Sequence, residues 1–324
     1  MTYNKPIHSI TVVGTGVIGA SWAALYLAKG FKVVATDPAP NAEAALRKFV
    51  QDAWPALEQL GLTPGASQAN LSFTADLDEA LAEADFVQEN GPERLDFKRK
   101  LYGQLDALLP RDVIIASSSS GLPMSQIQVG AAFHPERCII GHPFNPPHLI
   151  PLVELVGGTK TSPDAIRRAD EFYTAIGRRT VRLNKEMPGH VANRLQGALA
   201  REVYYLVTEG VLSAADVDTA LSWGPGLRWG LMGNMMLNHL GGGPGGIEHF
   251  FEQFAGPMTT SWKSLGSPEL TPEVQRRLID SVHEEVGSRT IAELEAERDA
   301  LLIGLLELRA GHPQTVASPD AKAA

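Results

Sequence analysis

Short runs of apolar residues alternate with longer amphipathic stretches over the first 183 residues of the chain. The runs have the length of β-strands, and we predict strands at 10–13, 32–36, 71–74, 85–89, 113–116, 138–141, 152–156 and 180–183. Helical stretches separate many of these runs, for example at 20–29, 94–109 and 163–177. This alternation predicts the α/β class, with a doubly wound parallel sheet whose ligands bind at the carboxyl ends of the strands.

The pattern changes after Pro188. No strand pattern follows, whereas 190–207, the segment after Ser213 and 291–308 have a helical composition. We therefore predict a sheet-containing domain over 1–187, an all-helical C-terminal domain over 188–309 and a disordered tail over 310–324. Within the first domain, the helix that follows Asn41 is expected to break near Pro55.

The first predicted strand runs directly into a glycine-rich turn. Gly14, Gly16 and Gly19 have the spacing G-x-G-x-x-G, with Val17 and Ile18 between the last two. The first glycine permits a tight turn, the second lets the backbone approach a pyrophosphate, and the third lets the helix pack close to the strand. Because free N–H groups at a helix N-terminus attract phosphate, we predict that these five residues bind a dinucleotide in a Rossmann-like domain.

An acidic residue stands at the end of the second predicted strand. Asp37 follows the run 32–36 and lies about 20 residues after Gly19, where a carboxylate accepts hydrogen bonds from the ribose hydroxyls of the adenosine. No arginine comes directly after it to bind a 2′-phosphate. The predicted cofactor is therefore NAD rather than NADP.

The charge and composition of the chain limit the classes of partner and the cellular compartment that we expect. The net charge of −9 disfavours nucleic acid as a partner, because a polyanion needs a basic surface. The chain has a single cysteine, and we find no apolar run of the length that a signal peptide or a membrane span requires. We expect a cytoplasmic protein with no membrane partner, and a helical domain rich in Trp, Met and Phe that forms a homodimer.

Metal chemistry and triad hydrolysis are not indicated. The nine histidines are scattered without the paired spacing of metal ligands, and the chain contains no G-x-S-x-G elbow. We therefore predict no metal.

A histidine and a glutamate stand on neighbouring predicted strands. His142 follows the run 138–141, and Glu154 lies within 152–156. Oxidation of an alcohol with NAD needs a base for the hydroxyl proton, and histidine, with a usual pKa of about 6.5, suits this role. A carboxylate on the other ring nitrogen would fix the tautomer and stabilise the imidazolium, so we predict a His142–Glu154 dyad.

These motifs together resemble the 3-hydroxyacyl-CoA dehydrogenase superfamily. The resemblance rests on the glycine turn, the serine run 117–120, the segment Gly-His-Pro-Phe-Asn-Pro at 141–146, the Val-Glu pair within 152–156, and 188–195. The segments 142–147 and 226–229 are similar to the branch of that superfamily that acts on small hydroxy acids. The resemblance implies an NAD-dependent 3-hydroxy acid dehydrogenase of the EC 1.1.1 class.

The resemblance also implies roles for single residues. Ser120 matches the catalytic serine that hydrogen-bonds the substrate oxygen, although by sequence Ser117–Ser119 could do the same. Asn193 matches the asparagine that holds the polarised carbonyl, and it completes the predicted catalytic set with His142 and Glu154. Beyond the glycine turn and Asp37, the predicted cofactor contacts are Glu93, Lys98, Ser118 and Asn145.

The sequence favours a small 3-hydroxy carboxylate over an acyl-CoA. The helix after the second strand offers only Arg47 and Lys48, among several acids, to the phosphates of CoA. We place L-carnitine ahead of L-gulonate, because the aromatic residues of the helical domain suit a quaternary ammonium. The alternatives are a short-chain L-3-hydroxyacyl-CoA dehydrogenase and a catalytically silent, crystallin-like NAD-binding protein.

Overall fold

Eight strands form one sheet in the part of the chain that the structure, a computed structural model, describes, residues 6–312. The order across the sheet is β3-β2-β1-β4-β5-β6-β7-β8. The strands are β1 Ser9–Val13, β2 Lys32–Thr36, β3 Leu71–Thr74, β4 Phe86–Glu89, β5 Ile114–Ser117, β6 Cys138–Pro143, β7 Leu152–Gly157 and β8 Arg179–Arg182. The order reverses between β1 and β4, which is the point where doubly wound sheets bind their ligands.

Every pair of neighbouring strands is parallel except β6 and β7, which are antiparallel. The predicted doubly wound parallel sheet is therefore confirmed up to β6. The reversal has a simple cause. The connection between β6 and β7 spans only 144–151 and contains no helix, whereas a parallel connection needs a crossover of a dozen or more residues.

Helices cover both faces of the sheet. They are α1 Val17–Ala28, α2 Ala42–Leu60, α3 Leu77–Leu81, α4 Leu95–Leu108, α5 Met124–Ile127 and α6 Pro163–Ala175. One hydrophobic cluster joins Ile10 and Val12 of β1 to α1, α2 and α6. A second cluster joins Val87 of β4 and Ile115 of β5 to α4. This two-sided cover buries β1, β4, β5 and β6 completely and leaves the carboxyl edge of the sheet for a site.

Helix α2 continues through Pro55, so the predicted break at this proline is wrong. Proline removes one N–H and so leaves the carbonyl of Gln51 without its helical partner. Both residues are exposed, so that carbonyl is accessible to solvent, while Trp54 and Leu57 on the opposite side pack into the core. Burial of the apolar face outweighs the local cost, which is about 3 kcal/mol in a helix interior.

The glycine turn between β1 and α1 is tightly packed at its two ends and open in its middle. Gly14 has a φ of 86°, and a Cβ there would lie 2.8 Å from the carbonyl oxygen of Asn90. A Cβ on Gly19 would lie 1.9 Å from the carbonyl oxygen of Gly14. A Cβ on Gly16 would meet nothing within 4 Å. The first and third glycines are thus required by the fold, whereas the second lies against open space.

The described chain forms two compact units. One contains the residues up to Asn193 together with Asp299–Glu307, and the other contains Arg194–Arg298 and the chain from Leu308. The helices from the end of the sheet onward are α7 Ala192–Thr208, α8 Ala214–Trp223, α9 Pro225–Trp229, α10 Asn234–Gly241, α11 Gly246–Ser261, α12 Pro272–Val286 and α13 Ile291–Gly311. The described residues after Arg182 contain no strand, as predicted for a helical C-terminal part.

The domain boundary at Met187 stays a prediction. Of the predicted tail over 310–324, the first two residues belong to α13, and residues 313–324 lie outside the described part of the chain. None of the helices within 6–312 has the combination of length and apolar character needed to cross a bilayer.

The packing of the glycine turn separates two substitutions. We expect Gly19→Ala to lower the free energy of unfolding by about 2 kcal/mol or more, because its methyl group overlaps backbone. Gly16→Ala should change it by less than about 0.5 kcal/mol, since its methyl group enters open space. Urea unfolding of the two variants and the wild type measures the difference, and equal losses would contradict this packing.

Candidate active site

His142 and Glu154 face each other across the antiparallel pair of β6 and β7. The register pairs the two residues directly, so their side chains lie on the same face of the sheet. The Nδ1 atom of His142 lies 2.9 Å from the Oε2 atom of Glu154, and both side chains are buried. A carboxylate is an acceptor only, so Nδ1 carries the proton of this bond and Nε2 of a neutral His142 is left as the basic nitrogen.

The second oxygen of Glu154 binds the start of helix α7. Its Oε1 atom accepts hydrogen bonds from the backbone N–H groups of Val191, at 2.8 Å, and Ala192, at 3.0 Å. Burial opposes ionisation of this carboxyl, but the hydrogen bonds from His142, Ala192 and Val191 outweigh it and lower the pKa of Glu154. The carboxylate therefore stays charged and can stabilise an imidazolium on His142.

A second histidine, which the sequence analysis did not single out, packs against the first. The ring centroids of His190 and His142 lie 4.9 Å apart, and His190 is buried. Its Nε2 atom donates a hydrogen bond to the backbone carbonyl of Ser119 at 3.0 Å. Burial lowers the pKa of His190, and the neighbouring His142 adds to this. The sequence signal that could have identified His190 is its position in the segment 188–195, one of the segments that resemble the family.

The four serines at the end of β5, residues 117–120, differ in their partners. Ser117 Oγ donates to Glu89, Ser118 Oγ donates to Asn90 and Ser119 Oγ donates to Glu93, at 2.6, 2.7 and 2.7 Å respectively. Ser118 Oγ also accepts from Trp22 and Gln88, so both its donor and its acceptors are used. Ser120 is exposed, and its hydroxyl has no partner among residues 6–312. Of the four hydroxyls, that of Ser120 is the one available to a ligand.

Glu93 holds the loop that presents Ser120. Its Oε1 atom accepts from Ser119 Oγ and from the backbone N–H groups of Gly121 and Leu122, at 2.7, 2.7 and 3.1 Å. Partial burial opposes ionisation, but these bonds and the charge of Lys98 lower the pKa of Glu93. One oxygen of the carboxylate thus binds the side chain before Ser120 and the backbone after it.

Lys98 lies beneath this loop and is fully buried. Its Nζ atom contacts both carboxylate oxygens of Glu89, at 2.7 and 2.9 Å, and the carbonyl of Gly91 at 3.1 Å. An ammonium has three donors, and these contacts use all three. The structure therefore gives Lys98 a supporting position instead of a free donor for a cofactor.

The remaining predicted positions lie along the carboxyl edge of the sheet. Asp37 follows β2, and its Oδ2 atom accepts from the N–H group of Thr15 at 2.8 Å, within the glycine turn. Asn145 is exposed in the loop after β6 and precedes a cis peptide bond to Pro146. Asn193 is half-buried in the first turn of α7, immediately after the N–H groups that bind Glu154.

The glycine turn fits a dinucleotide. The second glycine borders open space that a side chain would fill, and no side chain caps the start of α1, so Val17, Ile18 and Gly19 present backbone N–H groups there. The carboxylate of Asp37 stands beside this turn. These are the groups that would hold the pyrophosphate and the adenosine ribose of a bound NAD.

The lowered pKa of Glu154 predicts a pH dependence of stability. Its contribution is fully present above the unfolded pKa of about 4.3 and is lost as the pH falls through the lower folded pKa, because the unfolded chain binds the proton first. Between about pH 7 and pH 3, the free energy of unfolding of Glu154→Gln should therefore fall less than that of the wild type. The exposed Glu284→Gln is the control, and equal slopes for all three proteins would contradict the prediction.

The chain is similar to known dehydrogenases along nearly its whole length. Residues 9–187 match the NAD-binding domain of 3-hydroxyacyl-CoA dehydrogenase, and residues 189–269 match its C-terminal domain. L-carnitine dehydrogenase of Streptomyces griseus is 47% identical over 311 residues, which cover 96% of this chain and 92% of that protein. L-carnitine dehydrogenase of Pseudomonas putida is 47% identical over 307 residues, or 95% of each chain.

Solved structures agree with these matches. The NAD⁺-dependent 5-formyl-3-hydroxy-2-methylpyridine 4-carboxylic acid 5-dehydrogenase superposes with a TM-score of 0.81 at 30% identity, covering 94% of this chain and 99% of that one. FadB2 of M. tuberculosis has a TM-score of 0.65 at 27% identity, with 85% and 95% covered. The chain therefore belongs to the 3-hydroxyacyl-CoA dehydrogenase family, and its sheet-containing part is the NAD-binding domain of that family, as the sequence predicted.

Proposed function

We propose that this protein oxidises the 3-hydroxyl group of L-carnitine with NAD. The observation on which the chemistry rests is the buried His142–Glu154 pair, whose basic nitrogen is left free for a substrate hydroxyl. The substrate is inferred from the relatives, since proteins named L-carnitine dehydrogenase match at up to 47% identity over more than nine-tenths of the chain.

In the proposed reaction, Nε2 of His142 removes the proton from the 3-hydroxyl while the hydrogen on the same carbon leaves as hydride. Bound NAD supplies the hydride acceptor. The charged Glu154 stabilises the imidazolium that forms on His142 and keeps its ring in one tautomer. The Ser120 hydroxyl bonds the substrate oxygen, and the Asn193 amide holds the developing carbonyl. The products are the 3-keto acid, NADH and a proton.

We propose that the cofactor lies over the glycine turn along the carboxyl edge of the sheet. The turn and Asp37 would bind the pyrophosphate and the adenosine ribose. Asn145 and Glu93 remain predicted contacts to the nicotinamide half. For Ser118 and Lys98, whose polar groups are used within the protein, we propose an indirect role through the loops they support.

The charges on helix α2 favour a small acid over an acyl-CoA. Arg47 forms an ion pair with Glu43, and Lys48 forms one with Asp52. These are the two basic residues of the helix, and each is neutralised one turn away on the same helix. The phosphates of CoA would find no unpaired cation there.

We expect the wild type to reduce NAD with L-carnitine faster than with L-gulonate or a short 3-hydroxyacyl-CoA, as followed by NADH absorbance. His142→Gln should lower turnover by about two to four orders of magnitude, because the base is lost, and leave the affinity for NAD nearly unchanged. His283→Gln, an exposed histidine on α12, is the control.

Three other outcomes would decide against this assignment. A higher rate with L-gulonate or the acyl-CoA would replace the substrate. Binding of NAD without oxidation of any of the three would favour a silent NAD-binding protein. A large loss of NAD affinity in His142→Gln would move this histidine to the cofactor site.

We also propose that the protein is a homodimer that pairs through its helical part, and that it is cytoplasmic. The second unit exposes large apolar side chains that a lone soluble chain rarely leaves in water, including Trp223 at 77%, Met235 at 64% and Trp262 at 60%. Light scattering should give twice the chain mass of 34.8 kDa. Trp223→Glu should lower that mass by placing a charge in the apolar contact, and a wild type of single-chain mass would refute the dimer.

A further inference from the structure

We infer that His190 is a positioning residue that locks the Ser120 loop onto the His142–Glu154 pair through its ring N–H group. The inference deepens the proposed function and rests on it, because it assumes that Ser120 and His142 act on one hydroxyl group. It concerns a residue outside the predicted catalytic set.

The turn of residues 189–192 contacts three separate parts of the site. The His190 side chain donates to the carbonyl of Ser119, directly before Ser120. The same ring packs on His142 of β6, with centroids 4.9 Å apart. The next two backbone N–H groups bind Glu154 of β7. One short turn therefore joins the ends of β5, β6 and β7.

The hydrogen bond defines the state of the His190 ring. The Ser119 carbonyl can only accept, so Nε2 carries the proton, and in the neutral ring Nδ1 is an acceptor. Nδ1 is buried and bonds to no group within residues 6–312. Burial and the adjacent His142 lower the pKa of His190, although the bond to Ser119 and the charges of Glu154 and Glu93 act in the opposite direction. A neutral ring adds no second positive charge beside His142 when that residue takes a proton.

The backbone at this position is also unusual. His190 has a φ of 49°, in the left-handed region that only a few per cent of residues other than glycine adopt, histidine among the more frequent. Gly189 before it has a φ of 73°. This conformation turns the chain sharply just before α7. The His190 side chain therefore points at Ser119, while the N–H groups of the next two residues point at Glu154.

The loop of Ser120 is consequently held from two directions. Glu93 binds Ser119 Oγ and the N–H groups after Ser120, and His190 binds the carbonyl before Ser120. Loss of the hydrogen bond from His190 would leave the Ser119 carbonyl buried without a partner. The loop could then shift relative to His142. The cost should fall on the orientation of the substrate oxygen and not on binding of NAD.

Two substitutions separate the hydrogen bond from packing of the ring. His190→Gln keeps a donor, because its amide nitrogen can reach the position of Nε2, whereas His190→Phe keeps a ring and loses the donor. Neither side chain favours the left-handed backbone, so any backbone strain is common to both variants. We expect His190→Phe to lower kcat for L-carnitine about tenfold, with unchanged NAD affinity and an increased isotope effect from 3-deuterated substrate. His190→Gln should stay within about threefold of the wild type, which is the reverse of what a packing role predicts.

Hydrogen–deuterium exchange of residues 117–123 gives a readout without substrate. His190→Phe should exchange about tenfold faster there than the wild type, and His190→Gln should not. If His190→Phe does not fold, His190→Leu takes its place. His283→Phe is the control for loss of an exposed histidine.

The inference fails if exchange is unchanged in His190→Phe, or if the Gln variant is impaired as much as the Phe variant. A wild type that does not oxidise L-carnitine would refute the proposed substrate but leave the exchange comparison intact. An active wild type with equal exchange in all variants would refute only the role of His190.

Discussion

The carboxylate of Glu154 is the group on which the rest of the site depends. It is a buried charge, and such a charge is tolerated only when its oxygens have partners. Here the imidazole of His142 occupies one oxygen, and two backbone N–H groups at the start of α7 occupy the other. The same ion therefore selects the tautomer of His142 and fixes the point where the chain leaves the sheet for the helices.

A buried ion pair, Lys98 with Glu89, also supports the site. Lys98 and Glu89 are both inaccessible to solvent. Lys98 also donates to the carbonyl of Gly91, and Glu89 accepts from the N–H group of Gly91. A buried pair of this kind adds little net stability, since desolvation offsets the attraction. Its effect is to fix the segment 89–93 and hence the direction of Glu93 toward the serine loop.

The sequence predicted the parts of the site that follow from strand order. The glycine turn and Asp37 directly follow predicted strands, and His142 and Glu154 lie on neighbouring predicted strands. Hydrophobic periodicity locates these strands in the sequence. The antiparallel turn of β7 was missed, because alternation of strands and helices does not give strand direction. Pro55 was misjudged for a related reason, since the benefit of burying Trp54 and Leu57 depends on tertiary packing.

Hydrogen-bond partners are the other property that the sequence could not give. The sequence does not distinguish the four consecutive serines from one another. In the folded chain, three of their hydroxyls donate hydrogen bonds to Glu89, Asn90 and Glu93. Lys98 likewise owes its position to Glu89 and Gly91, and His190 owes its position to Ser119 and His142, which are far away in the chain. Residue identity predicts which chemistry is possible, whereas the partners determine which group is free to perform it.

The reversed direction of β7 has a consequence for how such an enzyme can diversify. Adjacent antiparallel strands hold Glu154 and His142 in register by backbone hydrogen bonds, so their pairing does not depend on the loop 144–151 that links the strands. Much of that loop is buried, and the backbone N–H group of His148 binds Ser21 of α1. Evolution can change the exposed positions of the loop while the two side chains stay paired.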